Sequence, residues 1–329
     1  MSTTDWNQPA MQRNPMMGGG MQNRWIPPQE VADHLGNPIP QNWDFFAAPP
    51  PNIGNLVTAG STLDLGEEPM APATRMIIAI VAAGVAGGIG LTIGFIMEAI
   101  PLPGTIGIGA VLAALGFWIA WAFTSFDHTC QFVGSEGVAS ITCSGSRTDL
   151  AAPEVFRFEQ AAEVRNSIVH NYNKYGVYQG TNYSFVWADP AGNAVYTISG
   201  SHNYENNFPP SNDPYCFGFS AEEVWTRWIF QRVLMQIQQT GFYQFNVEGS
   251  GHVRVGQGYA EFNLDGTPQR LRSEEIAFAN LDAGMLTIRR HGATEGWFSS
   301  DGIYTFGYGS LGNAQLFLRL FGSLVKNIT

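Results

Sequence analysis

Charged side chains are scarce in this chain. Only 13% of its 329 residues are Asp, Glu, Lys or Arg, about half the usual share. Lysine occurs only at Lys174 and Lys326, and the net charge is −11. That balance excludes the basic footprint of a general nucleic-acid binder and disfavours attraction to an anionic lipid surface. Three cysteines, Cys130, Cys143 and Cys216, are too few for a disulfide framework. No C-x-x-C, no His/Cys cluster at zinc spacing and no G-x-S-x-G, H-E-x-x-H or Walker loop occurs. Nothing therefore assembles a nucleophile, a base and an orienting group. The expectation is a non-catalytic protein without metal or cofactor. The first apolar run begins near residue 76, too late for a signal peptide.

What the chain does have is two long apolar runs. "MIIAIVAAGVAGGIGLTIGFIMEAI" covers 76–100 and "TIGIGAVLAALGFWIAWAFTSF" covers 105–126. Each meets the roughly 20 residues that cross a hydrocarbon core of about 30 Å. Joined, they would make one helix of about 75 Å at 1.5 Å per residue. The "PLPG" at 101–104 is therefore read as the turn of a transmembrane helical hairpin, because proline removes backbone donors and restricts its predecessor. The first span carries two small-xxx-small pairs, Gly84/Gly88 and Gly90/Gly94, which let helix backbones approach closely. The second offers Ala110, Ala114 and Gly116. These faces pack either the two spans together or a second membrane protein. Trp118 and Trp121 suit an interfacial belt. Glu98 is costly in lipid and either reaches the interface near the turn or meets a partner. Arg75 flanks the first span while the turn has no Lys or Arg, so positive-inside places both termini in the cytoplasm, at the inner membrane of a bacterium.

Residues 1–75 are rich in Pro, Gly, Gln, Asn and Met without sustained periodicity. They read as a disordered tail, or as one ordered by a partner through the aromatic anchors Trp25, Trp43, Phe45 and Phe46.

Residues 127–329 read mainly as strand. "HTCQFVG-SEG-VASITCSG" is a hairpin in which Cys130 and Cys143 face each other, as two buried thiols or, outside the cytoplasm, a disulfide. "SIVHNYNKYGVYQGTNYSFVWADPAGNAVYTISG" carries turn signals at Gln-Gly and Asp-Pro-Ala-Gly-Asn. "SAEEVWTRWIFQRVLMQIQQTG" is a helix with a Ser220/Glu223 capping box and a Gly241 stop. Trp225, Ile229, Val233 and Ile237 form its buried face. The pattern then repeats. "FVGSEGVASITCSG" (132–145) matches "RVGQGYAEFNLDG" (254–266) with one residue deleted, "EVFRF" (154–158) matches "EEIAF" (274–278), and "SLGNAQLFLRLFGSLV" (310–325) is a second closing helix. Strands closed by a terminal helix describe a pleckstrin-homology-like (PH-like) antiparallel split barrel. The fold expected is thus a hairpin plus two tandem PH-like modules, at 127–241 and 242–329. The stretch "FDHTCQFVGSEGVASITCSGSR…EVFRFEQAAEVRN…YNKYGVYQGTNYSFVW" resembles an uncharacterised family of bacterial membrane proteins with PH-like cytoplasmic domains. The resemblance covers roughly 126–240. It implies a fold and a bacterial setting, not an activity.

Few motifs point to a ligand. "GYGSLG" (307–312) is a formal G-x-G-x-x-G, but no acidic residue follows as a dinucleotide site requires. Its glycines ease a turn and Ser310 caps the helix. Arg289 and Arg290 would hold an anionic head group if they converge. The leading expectation is a membrane-anchored scaffold or accessory subunit of a larger membrane protein complex, with energy-transducing respiratory or photosynthetic assemblies among the candidates. Its partners would be other membrane subunits and the bilayer, with no nucleic acid. The alternative is a PH-like lipid- or ligand-binding sensor, and an enzyme of unknown class is the remote third.

Overall fold

A computed structural model describes residues 24–96, 101–205, 207–249, 251–264, 266–293 and 302–325. Strand β1 (Leu56–Ser61) precedes helices α1 (Pro72–Ile96) and α2 (Leu102–Phe123). Strands β2 (Asp127–Gly134), β3 (Gly137–Ser144) and β4 (Glu154–Arg157) follow. Next come β5 (Glu163–Tyr172), β6 (Tyr178–Ala188), β7 (Ala194–His202) and helix α3 (Pro214–Thr240). The order is then repeated with β8 (Phe242–Val247), β9 (Gly251–Gly256), β10 (Tyr259–Asn263), β11 (Gln269–Arg272), β12 (Ile276–Asp282), β13 (Met285–Arg290), β14 (Ile303–Gly307) and α4 (Ala314–Leu324).

The sheets make the repeat explicit. An antiparallel β1-β2-β3-β4 sheet and a β5-β6-β7 sheet form the first module, and β8-β9-β10-β11 with β12-β13-β14 form the second. Each module ends in a helix. The duplication extends to single bonds. The Phe158 N–H donates to the Glu136 carbonyl at 2.9 Å, and the Ser273 N–H donates to the Gly258 carbonyl at 2.9 Å. A 3-10 turn follows the fourth strand in both modules. It is closed by Arg157 N–H to Gln160 Oε1 at 2.9 Å in one and Arg272 N–H to Glu275 Oε2 at 2.8 Å in the other.

These bonds correct the repeat read from sequence. β4 at 154–157 corresponds to β11 at 269–272, so "EVFRF" aligns five residues ahead of "EEIAF". The ladders pair Gly134 with Gly137 and Gly256 with Tyr259. Both hairpins therefore have two-residue turns with no deletion there, and the second module is shorter instead in the loop between its third and fourth strands.

The largest correction lies at the first strand. β1 pairs with β2 along Leu56↔Gly134 to Ser61↔Cys130, although the whole α1–α2 hairpin lies between them in the chain. The hairpin is thus an insertion into the β1–β2 connection, and the first module begins well before residue 127. The preceding segment is layered on it. Phe45, Trp43, Val31 and Ile53 are buried with Cys130, Phe132 and Ile141, and Trp25 and Phe46 pack on the same cluster. Trp25 meets Phe45 at 5.3 Å and Phe132 at 5.6 Å, both edge-on. The four aromatic anchors thus find their partner in the chain's own sheet, and residues 24–70 are an ordered layer. A backbone of irregular turns can be buried here because it exchanges bonds with the strand. One example is the Ala59 N–H donating to the Ala32 carbonyl at 2.9 Å.

α1 and α2 are long and apolar enough to cross a membrane, and only 11% and 6% of their most apolar windows are buried. A core helix of a globular protein would be buried. α2 begins one turn earlier than the sequence suggested, because Pro101 caps it and Pro103 sits in its first turn, where no donor is lost. The two helices meet through Gly87, Gly90 and Gly94 on one side and Thr105, Gly109, Ala113 and Gly116 on the other. A Cβ on Gly90 would lie 2.9 Å from the Gly109 Cα. Of the two glycine pairs, then, Gly90/Gly94 packs the hairpin. Gly84/Gly88 faces outward with nothing within 4 Å, as do the exposed Ala110 and Ala114. At the base, Arg75 Nη2 donates to the Trp121 carbonyl at 2.7 Å and Nε to Thr124 Oγ1 at 3.2 Å, with the guanidinium 4.1 Å from the Trp121 ring centre. Phe126 follows at once and is buried with Leu63 and Cys143.

Three further expectations change. α3 starts at Pro214, capped by the Asp213 carboxylate accepting from Tyr215 N–H at 2.8 Å. Ser220 lies inside the helix, and its hydroxyl meets Thr58 Oγ1 at 2.9 Å. The Gly241 stop holds at φ +85°, and Trp225, Ile229, Val233 and Ile237 are buried as expected. Gln179-Gly180 lies within β6, and the turn falls at residues 173–177 instead, where Asn173 Oδ1 accepts from Tyr175 and Val177 N–H. Cys130 stands opposite Ile141 and Cys143 opposite His128. All three cysteines are buried thiols, and burial pushes the Cys130 thiol up to about 12.

Candidate docking cleft between the two modules

The modules share one hydrophobic core running from Val133 and Trp187 through Trp225 to Phe317 and Phe321. Its polar pin is Asn313, which caps α4 in the left-handed region at φ +57° and is only 4% exposed. Asn and Gly tolerate that conformation best. The Asn313 N–H donates to the Val164 carbonyl at 2.7 Å, and its Oδ1 accepts from Val164 N–H at 3.0 Å and Trp225 Nε1 at 2.9 Å. Its Nδ2 donates to the Ala162 carbonyl at 3.1 Å. Asn313, through its backbone N–H and its side chain, thus pairs with the start of β5 much as a neighbouring strand would. Around it, Asn246 Nδ2 donates to Glu163 Oε2 at 3.0 Å, and Arg165 bridges Glu163 and Glu248.

The "GYGSLG" glycines belong to this joint. A Cβ on Gly309 would lie 2.9 Å from the Asn166 carbonyl, and one on Gly312 would lie 2.5 Å from Glu163 Oε2. Gly309 lets the second module's backbone approach the β5 backbone, Gly312 makes room for the Glu163 side chain, and Gly307 lies in its own turn against Ser310. Ser310 bonds the Gly307 carbonyl within a 3-10 turn, and the helix cap falls to Asn313.

Beyond the joint the modules part and leave a cleft of about 690 Å3. Its walls are the free edge of β5 (Asn166 to His170), the turn between β12 and β13 (Leu281, Ala283, Gly284), and Tyr308 with Gly309. Among the described residues, no Asp, Glu, Lys or Arg lines it. Behind Asn166 sits Glu222 of α3, 2% exposed. Its Oε2 accepts from Asn166 Nδ2 at 2.8 Å, and its Oε1 has no partner among the described residues. Burial pushes this carboxyl up to about 7, against the opposing Asn166 hydrogen bond. A second hollow of about 310 Å3 adjoins, sharing Ile168 and His170 and walled by His202, Phe208 and Tyr215. There His170 Nδ1 and the Tyr178 hydroxyl each lie 2.7 Å from Thr181 Oγ1. No three His, Cys, Asp or Glu residues among those described form a metal-binding group.

The residues singled out in the sequence lie elsewhere. Trp25, Trp43, Phe45 and Phe46 are in the N-terminal layer, with Trp43 and Phe45 on a groove of about 370 Å3 rimmed by Pro27, Pro28, Pro38 and Pro40. Glu98 lies outside the described residues. Arg289 and Arg290 are consecutive on β13, so they project to opposite faces. Arg289 Nη2 donates to the Ala293 carbonyl at 3.0 Å. They do not converge on one anion. The cleft residues were missed because they come from distant parts of the chain. The one local signal was Asn313 directly before an apolar helical run.

Fold and site define a class: a fused pair of duplicated antiparallel β-modules, the first interrupted by an apolar helical hairpin. The chain matches no protein-family model, and no curated protein is similar to it.

Proposed function

We propose that this is a membrane-anchored scaffold or accessory subunit of a larger membrane protein complex, and that it is non-catalytic. In this reading each module is PH-like: four strands, three strands and a closing helix are the parts of such a split barrel. The hairpin spans the inner membrane of a bacterium, and the modules lie on the cytoplasmic side with Arg75.

The observation that carries the reading is the place of the hairpin. It is inserted between two paired strands; Arg75 clamps the two helices together at their base through Trp121 and Thr124, and Phe126 packs that base on the sheet with Leu63 and Cys143. A tether for a soluble domain needs only a flexible linker. A doubly attached, clamped base fixes the height and orientation of the inter-module cleft over the bilayer, which a scaffold needs and a tether does not. The outward Gly84/Gly88 and Ala110/Ala114 faces suit contact with neighbouring spans.

Mild-detergent extraction from the native membrane, followed by sizing and identification of co-purifying chains, tests this. The expected result is a stoichiometric complex with other membrane subunits. A chain that always emerges alone refutes it.

A further inference from the structure

One wall of the cleft is a strand edge that the described residues leave unpaired beyond Asn166. β5 is the outer strand of its sheet. At Val164 both backbone groups point away from β6, since they bond to Asn313. Strand alternation places the N–H and C=O groups of Asn166, Ile168 and His170 on the same side. Gly309 covers the carbonyl of Asn166. From Ile168 to His170 no described residue bonds to the edge. Soluble proteins blunt such edges with lysine, proline, a bulge or a covering element. This stretch, "IVH", has no lysine or proline, and its bulge comes later, at Asn171/Tyr172. It exposes Ile168 at 37% and Val169 at 50%.

We propose that the β5 edge at Ile168–His170 takes an extended segment of a partner polypeptide as an added strand, lying in the inter-module cleft. Three observations select that occupant. The edge offers four backbone groups in strand geometry, which match a peptide backbone. The chain already uses the preceding position in this way, because Asn313 pairs with Val164 as a strand would, so the vacant edge continues an existing interface. The opposite wall, Leu281, Ala283, Gly284 and Tyr308, is uncharged and mostly apolar. The segment is therefore uncharged across the cleft, with apolar or small side chains alternating toward that wall.

The inference rests on the scaffold reading, and its test separates the two. The full-length chain is purified from native membranes with its complex and compared with the chain expressed alone, by residue-resolved hydrogen exchange. The amides of Ile168 and His170 should exchange about tenfold or more slowly in the complex, while that of Val169, turned toward β6, should not change. Ile168→Pro removes an outward donor without touching the β5–β6 ladder. It should reduce recovery of the partner about tenfold, whereas Ile168→Val retains it. A complex that survives Ile168→Pro, or that leaves both amides exchanging freely, overturns the docking edge and leaves the scaffold standing. A chain that never co-purifies with a partner overturns both. Equal thermal stability of Ile168→Pro and wild type, each expressed alone, confirms that a loss is not misfolding.

Discussion

Replacing Glu222 by Gln should make the protein more stable, by a margin that opens between about pH 4.5 and about 7. Glu222 is buried beneath the inter-module cleft, with one oxygen bonded to Asn166 and the other unpartnered. Burial raises its carboxyl from 4.5 to about 7 in the folded state. A raised acid favours the folded protein while both states are protonated. The benefit is full below about pH 4.5 and shrinks as the unfolded chain ionises. It is gone once pH passes about 7, and the curve is flat above. The difference between 4.5 and about 7, at about 1.36 kcal/mol per pH unit, amounts to about 3 kcal/mol. Glutamine keeps the bond to Asn166 and has the shape of the protonated acid, so it removes this slope. Thermal unfolding in detergent at pH 5, 6, 7 and 8 measures it. The gap between variant and wild type should be small at pH 5 and open to about 6–12 °C by pH 8, at about 2–4 °C per kcal/mol. Other titrating groups cancel in that difference. Parallel profiles, with a gap independent of pH, would refute the claim that Glu222 is held neutral by burial.

Other expectations follow from the joint and the hairpin. Asn313→Gly keeps the left-handed cap but strands Val164 N–H and Trp225 Nε1, costing about 3–5 kcal/mol in denaturant unfolding. Asn313→Ala should cost about 1 kcal/mol more, from φ alone. Gly90→Leu should splay the hairpin and lower the melting temperature in detergent, because a Cβ there meets Gly109 backbone; Gly88→Leu points into open space and should leave it unchanged. Replacing residues 70–124 by a short Gly-Ser loop should give a water-soluble, folded protein by circular dichroism and gel filtration. A fragment starting at residue 127 lacks β1 and uncovers Phe132 and Ile141, so it should aggregate.

Much of the architecture can be read from local sequence. Length and hydropathy are properties of a continuous run, so both apolar helices stand out. The apolar face of α3 and its Gly241 stop depend on 3.6-residue periodicity and a left-handed cap, which are equally local. The duplication is visible because turn glycines recur at similar spacing, though the ladders were needed to set its register. The candidate site was not legible. Its edge is free because of what fails to pair with β5, and no residue in "SIVH" encodes that. The same limit explains Arg289 and Arg290: adjacency in sequence suggested one cluster, and the strand pleat separated them.

The sequence by itself determined that two apolar helices would form and that strands closed by a helix would occur twice. Each of these follows from neighbours within a few turns of chain. Only the tertiary structure decided where the hairpin belongs. β1 and β2 are separated by the whole hairpin, and what unites them is backbone pairing and the burial of Phe45, Ile53 and Phe132 in one layer. A segment that cannot bury its aromatics alone reads as a tail until the surface it covers is known. Gly309 and Gly312 of "GYGSLG" changed meaning for the same reason: their size is set by Asn166 and Glu163 of β5, in the other module.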